Sequence, residues 1–120
     1  MTRLEEAPAW ASAMAAFTLD RIEIADRALP RMRGLLGRSG LADGEGMLLR
    51  PAGTIHTFFM RFPIDAVFLD DDLVVLGTFE HLEPWGTAGR RGAKAVLELP
   101  AGTCERLQVK QGDRLVLPAD

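Results

Sequence analysis

The chain has 120 residues, of which 48% are hydrophobic and 26% charged, and its formal net charge is −3. This length suits one domain, because each half of a divided chain would bury too little surface to be stable alone. The composition is that of an ordinary globular protein and excludes disorder, and the acidic balance argues against a dedicated nucleic-acid binder.

The cysteine content and the first residues favour a cytoplasmic location. The single cysteine, Cys104, cannot form an internal disulfide, as is usual in a reducing compartment. Glu5 and Glu6 stand where a signal peptide would carry positive charge. The apolar run over residues 9–17 is too short to cross a bilayer, so we expect no membrane span.

Two helices are predicted in the first third of the chain. Trp10, Met14 and Phe17 lie three or four residues apart and would share one helical face. We therefore expect residues 1–20 to form a helical extension and residues 21–117 to form a single β-rich domain. After a short alternating strand over residues 22–24, a second helix is predicted over residues 26–38, with glycines at its end.

From residue 41 onward the hydrophobic period is that of β-strands. Strands are predicted over residues 46–50, 54–60, 64–69, 73–76, 95–99 and 114–117. The fourth either ends at residue 76 or continues to residue 79 with a bend at Gly77. The connections between them are a tight turn over residues 70–72, a loop over residues 83–92 and one helical turn over residues 104–107. Six or seven short strands with two or three short helices predict an α+β fold that is mostly β. We expect a small, partly open β-barrel with the helices packed outside it.

Charge is unevenly spread along the chain. Residues 27–61 hold six arginines against two acidic residues, a net charge of +4, whereas residues 65–83 hold six acidic residues and no base. These segments are either solvated faces that attract one another or a basic rim beside an acidic rim around a cleft.

His56 lies in the segment richest in chemically versatile residues. On an extended strand Thr54, His56, Phe58 and Met60 point to one face, so His56 is either a structural histidine or faces a ligand. The α-carbons of His56 and Met60 would be about 13 Å apart, too far for both side chains to bind one ion. No metal site is predicted.

Two carboxylates are further candidates. Asp65 lies in a strand with two apolar faces, which predicts a half-buried carboxylate that must find a partner. That partner is either an arginine, Arg61 or Arg38, or a pair of backbone N–H groups. Glu98 points away from the face shared by its apolar neighbours, and it is either solvated on an edge strand or part of a site. Cys104 is expected to be a small buried residue without a catalytic role.

Two functions are compatible with these residues, and the alternative to both is that all of these polar residues are purely structural. The first is a non-catalytic binding or accessory module for a small polar ligand or a partner peptide, and the second is a small hydrolase or lyase. In the enzyme, Asp65 or Glu98 would act as the base and His56 as the acid. No phosphate-binding loop, dinucleotide fingerprint or zinc spacing is present, so no cofactor is predicted. The candidate site residues are Arg38, His56, Met60, Arg61, Asp65 and Glu98.

Four blocks of the sequence resemble one protein family, the bacterial and archaeal domain of unknown function family 192. In chain order they are RGLLGR over residues 33–38, GMLL over residues 46–49, FMRFPIDAVFLD over residues 59–70, and LELPAG over residues 97–102 followed by Gly112-Asp113. They are similar to the family motifs RGLMxR, GMLF, WMKNTxIPLDIxFID and ELPAG…GD, and occur in the same order.

The resemblance implies a compact, mainly β domain whose activity is not established. The sequence departs from the common pattern at two places. Phe59 stands where tryptophan is frequent, and Arg61-Phe62 replaces Lys-Asn. The residues around His56 are similar to those of a cytoplasmic subgroup, so a pocket chemistry of the Lys-Asn members need not apply to this chain.

Overall fold

The computed structural model describes residues 15–25, 41–58 and 60–118, and these residues are mainly β. They form a five-stranded sheet in the order β2-β3-β8-β5-β6 and two ribbons of two strands, β1-β9 and β4-β7. The elements are β1 (Ala16–Phe17), β2 (Arg21–Ala25), β3 (Glu45–Leu49), β4 (Thr54–His56), β5 (Ile64–Leu69), β6 (Val75–Leu82), β7 (Thr87–Gly89), β8 (Ala95–Pro100), α1 (Thr103–Leu107) and β9 (Arg114–Leu115).

Strand β8 occupies the centre of the large sheet. It pairs antiparallel with β3 on one side and with β5 on the other, while β2 joins β3 in parallel and β6 joins β5 antiparallel. All six residues of β5 are buried, as expected for an interior strand whose two faces are both apolar. The expectation that Asp65 lies on an interior strand is therefore confirmed.

Successive side chains of the central strands enter two apolar clusters, one on each face of the sheet. The first cluster contains Ala66 and Phe68 of β5 and Val96 of β8, together with Ile55 of the β4-β7 ribbon. The second contains Val67, Leu69, Leu97 and Leu99, together with Cys104 of α1 and Leu115 of β9. The β4-β7 ribbon thus covers one face, and α1 with the β1-β9 ribbon covers the other.

A β-bulge interrupts the pairing of β5 with β6. Ile64 pairs with Leu82 and Ala66 pairs with Phe79, so two residues of β6, Glu80 and His81, lie opposite Asp65 alone. His81 adopts the left-handed conformation with φ of 56°, and a bulge of this kind bends its strand and redirects its side chains.

The mainly β prediction is confirmed, but the barrel is wrong for the part of the chain that the structure describes. There β2 and β6 are two separate edges of an open sheet, since the strands pair in a line and the ribbons are distinct sheets. Only the last predicted helical turn falls on described residues, where α1 forms. The other two predicted helices lie almost wholly outside them. Phe17, expected at the end of the first helix, belongs to β1 instead, and the division of the chain near residue 20 stays a prediction.

Candidate functional site

Asp65 is completely buried, not half-buried as expected, and its carboxylate accepts three backbone hydrogen bonds. The N–H of His81 donates to Oδ1 at 2.8 Å, and the N–H groups of Gly102 and Cys104 donate to Oδ2 at 3.0 and 2.9 Å. Of the partners considered from sequence, backbone N–H groups bond this side chain, and no arginine among the described residues does. Asp65 therefore connects the bulge of β6 to the start of α1, and all three of its hydrogen bonds are to backbone groups of this chain.

Glu98 lies on the opposite face of the sheet from Asp65. It is the register partner of Met47 and Ala66, which both belong to the cluster beneath the β4-β7 ribbon. Asp65 is adjacent to Ala66 on β5 and points the other way, toward Cys104. Glu98 is only 5% exposed, since β8 is central and not an edge strand. The sheet backbone thus separates the two carboxylates, and they do not converge on one substrate.

Cys104 is buried beside the Asp65 carboxylate. Burial, and then the negative charges of Asp65 and Glu80, raise the pKa of its thiol from 9.0 to about 12. The sulfur is therefore protonated at neutral pH and a poor nucleophile. The expectation of a small buried residue agrees with this environment.

Three aromatic rings form a stack on the outside of the protein. The ring centroids of His56 and Phe58 are 4.6 Å apart with an interplanar angle of 30°, and those of Phe58 and Trp85 are 5.7 Å apart at 26°. We call these three side chains the ring stack. Phe58 is 38% exposed and Trp85 is 61% exposed, so the stack places aromatic surface in contact with water.

Thr57 holds the two segments of the ring stack together. Thr57, which lies between His56 and Phe58 in the sequence, is completely buried. Its hydroxyl donates to the backbone carbonyl of Glu83 at 2.6 Å and accepts from the N–H of Gly86 at 2.8 Å. Its backbone carbonyl accepts from the N–H of Trp85 at 2.9 Å, and its N–H donates to Gly86 at 2.9 Å. These four hydrogen bonds and the contact between the Phe58 and Trp85 rings fix the loop against the segment that follows β4.

The backbone of Trp85 is itself unusual. Its φ is 66°, a left-handed conformation that a bulky residue adopts only where its surroundings enforce it. Here the enforcing contacts are the hydrogen bonds from Thr57 on either side of Trp85. The backbone of Trp85 is thus held in a strained conformation that keeps the indole ring at the surface.

The structure brings together only part of the predicted site. His56 is exposed beside Phe58, in agreement with the alternating strand pattern. Met60 is buried in the cluster under the ribbon, because β4 ends at His56 and the alternation is lost in the turn that follows. Arg61 is exposed, and Arg38 lies outside the described residues. Sequence reasoning missed Trp85; a tryptophan between Pro84 and Gly86 in a loop was the available signal.

Two cavities lie away from the ring stack. An open cleft of about 240 Å³ is lined by residues of mixed charge, including Arg50, Asp70 and Lys94, and a smaller one of about 70 Å³ lies beside Arg21 and Glu45. Within the described ranges, no group of three or more His, Cys, Asp or Glu side chains is placed to hold a metal ion. No helix in these ranges is long and apolar enough to cross a bilayer.

Comparison with known proteins places the chain among uncharacterised relatives. The model of domain of unknown function family 192, described as "Uncharacterized ACR", matches residues 11–117. UPF0127 proteins of Pyrococcus abyssi and Pyrococcus furiosus are 33% and 36% identical, over 79% of this chain and 84% and 86% of theirs. A UPF0127 protein of Thermococcus sibiricus is 32% identical over 79% of this chain, which spans 64% of that longer relative.

Two crystal structures share the fold. One is a protein of Sinorhizobium meliloti described as a proposed transcription regulator, with a TM-score of 0.71 and 30% identity over 78% of each chain. The other is a protein of unknown function from Novosphingobium aromaticivorans, with a TM-score of 0.70 and 29% identity over 78% of this chain and 71% of its own.

Proposed function

The chain belongs to domain of unknown function family 192, and we propose that it is a non-catalytic binding module that docks a partner peptide through the ring stack. The observation that carries this proposal is Trp85, an indole that is 61% exposed on a left-handed backbone. Tryptophan is the residue type most enriched among the residues that dominate binding energy at protein interfaces.

The energy available at the ring stack is sufficient for docking. A tryptophan buries about 150–250 Å² when it is fully covered, so covering the exposed part of Trp85 would remove roughly 100–150 Å² from water. At about 25 cal/mol/Å² this burial is worth about 2.5–4 kcal/mol. Because the loop is already clamped by Thr57, little ordering is needed on binding, and more of that energy contributes to affinity.

A peptide suits this region because Phe58 and Trp85 present exposed aromatic surface on the outside of the protein. A partner peptide can lie across an exposed stack and cover it from outside.

The hydrolase or lyase alternative gains no support from the geometry. The Asp65 carboxylate is completely buried and bonded to three backbone N–H groups, and Glu98 lies on the other face of the sheet. His56 stands on the outer ribbon. Asp65 and Glu98 therefore do not face a common space where a substrate could lie.

Selection of random peptides displayed on phage tests the proposal. We expect peptides enriched on the wild-type protein to lose at least tenfold in affinity for Trp85→Leu or Phe58→Ala. Ile24→Ala is the matched control, because Ile24 is an exposed apolar residue, 47% accessible, on the opposite edge of the sheet. Enriched peptides that bind Trp85→Leu as well as wild type, or a selection that enriches no peptide, would contradict the proposal.

A further inference from the structure

We propose that the ring stack takes up an arginine side chain of its partner, with the guanidinium lying against the exposed aromatic surface and bonded to the Glu83 carboxylate. This inference rests on the proposed function, because it specifies the chemistry of the peptide that docks there. It is carried by the juxtaposition of the exposed rings with the exposed side chain of Glu83 on the loop that Thr57 holds by hydrogen bonds.

Glu83 belongs to the loop that Thr57 holds. Its backbone carbonyl accepts the Thr57 hydroxyl at 2.6 Å, and Trp85 follows two residues later. The carboxylate is 69% exposed, and its Oε1 lies 3.3 Å from Nε2 of His81. It is therefore carried by the loop that holds Trp85 and is accessible to a second donor.

Opposite charges separate along the β4-β7 ribbon. At one end His56 pairs with Thr87, close to Trp85, while at the other end Thr54 pairs with Gly89. The exposed bases Arg90 and Arg91 follow that second end. The guanidinium of Arg90 lies over the backbone of β6, 3.2 Å from where a Cβ of Gly77 would stand. The Arg90 side chain is thus directed toward the Gly77 end of β6.

An exposed carboxylate lies on the loop that carries Trp85. It belongs to Glu83, within the acidic segment over residues 65–83, whereas the charge of Glu80 acts on Cys104 on the other face of the sheet. Arg61, three residues after Phe58, is an exposed base on the opposing segment. The Glu83 carboxylate, two residues from Trp85, is thus the anion on this loop that can attract a cation to the rings.

Arginine fits this arrangement better than lysine. A guanidinium is planar and stacks on aromatic faces, and its fork of N–H groups bonds a carboxylate through two parallel hydrogen bonds. Aromatic surface attracts cations through the ring quadrupole, most strongly for tryptophan. Neither a neutral amide nor a carboxylate gains both interactions.

NMR titration with two short peptides tests the inference directly. The probes are acetyl-Ala-Arg-Ala-amide and the same peptide with citrulline, which has the shape of arginine without its charge. We expect the arginine peptide to shift the amide signals of Thr57, Trp85 and Gly86 and to bind at least fivefold more tightly than the citrulline peptide. The preference should weaken at high salt.

Three exposed-site variants sharpen the test. Glu83→Gln should reduce binding of the arginine peptide by about threefold to tenfold and leave the citrulline peptide unaffected. Arg61→Gln should leave binding unchanged or strengthen it, and Ile24→Ala should change nothing. Because Glu83 and Arg61 are exposed, these substitutions test the charges without unfolding the domain.

The possible outcomes separate the two proposals. Equal binding of both peptides, lost in Trp85→Leu, would overturn the arginine inference while supporting the ring stack as a docking surface. So would phage-selected peptides that need Trp85 but contain no essential basic residue. Arginine-dependent shifts confined to the acidic turn over residues 70–72 would also overturn it. If no peptide of either kind binds in a Trp85-dependent way, both proposals fail.

Discussion

Replacing Asp65 with asparagine should destabilise the protein strongly, although the two side chains have the same shape. The carboxylate accepts three backbone hydrogen bonds through two oxygens, whereas an asparagine amide offers one oxygen. If that oxygen takes the Oδ2 position, it keeps the bonds from Gly102 and Cys104. The amide nitrogen then faces the N–H of His81, a donor against a donor.

The expected magnitude follows from these contacts. A hydrogen bond to a charged group contributes about 1.5–3 kcal/mol, and each buried donor left without an acceptor costs about 1–3 kcal/mol. The loss of charge weakens the two retained bonds as well. We expect Asp65→Asn to lower the free energy of unfolding by roughly 3–5 kcal/mol, which is a large part of the roughly 5–15 kcal/mol typical of a domain.

Urea denaturation at pH 7, followed by far-UV circular dichroism, measures this loss as a shift of the midpoint at unchanged slope. Asp72→Asn is the matched control, because Asp72 is exposed and the change should stay within about 0.5 kcal/mol. Amide hydrogen exchange should show His81 losing the most protection. A loss of less than about 1 kcal/mol for Asp65→Asn would refute the view that its three bonds hold the bulge to α1.

Three further predictions concern other parts of the fold. Thr57→Val should lower the free energy of unfolding by about 1–3 kcal/mol and speed hydrogen exchange of the Gly86 amide, whereas Thr57→Ser, which keeps the hydroxyl, should do neither. Equal effects of the two substitutions would contradict the role given to the Thr57 hydroxyl. The Cys104 thiol should resist alkylation at pH 8 until the chain is denatured. Because the pKa of this thiol is raised from 9.0 to about 12, the folded state holds the proton more tightly than the unfolded state does. The free energy of unfolding should therefore fall as pH rises from 9 toward 12, and it should fall less steeply in Cys104→Ala. The same pH dependence in the variant and the wild type would contradict this. Leu97→Ala, on the central strand, should cost roughly 2–5 kcal/mol by urea denaturation, and a loss below about 0.5 kcal/mol would contradict its core position.

Local patterns predicted the strands well where one segment carries its own signal. The prediction of a strand over residues 64–69 coincides with β5, and that over residues 95–99 falls one residue short of β8. Both are continuous apolar runs bounded by turn residues, the pattern typical of an interior strand. The turn between β5 and β6 was also legible, since Asp70 accepts the N–H groups of Asp72 and Val74 as aspartates commonly do in turns.

Long-range pairing decided what the local patterns could not. Phe17 has helical spacing to its apolar neighbours, yet it pairs with Leu115, nearly the whole chain away. The partners of Asp65 come from 16 to 39 residues further along, so no spacing near Asp65 identifies them. Met60 does not lie on the same face as His56, because β4 ends at His56 and the alternation of side chains stops in the turn that follows. The predicted site could not be assembled from strand parity alone, since parity holds only within a strand.

The central position of β8 has a consequence for the order in which this protein can fold. Strands β3 and β5 do not pair with each other, and both pair with β8. Strand β8 is synthesised about 30 to 50 residues after them. Until then the nascent chain holds two half-sheets with unpaired edges, and such edges invite pairing with other chains. Contacts this distant in sequence also slow folding. The yield of folded protein should therefore depend on how well these edges are shielded from other chains until β8 has been synthesised.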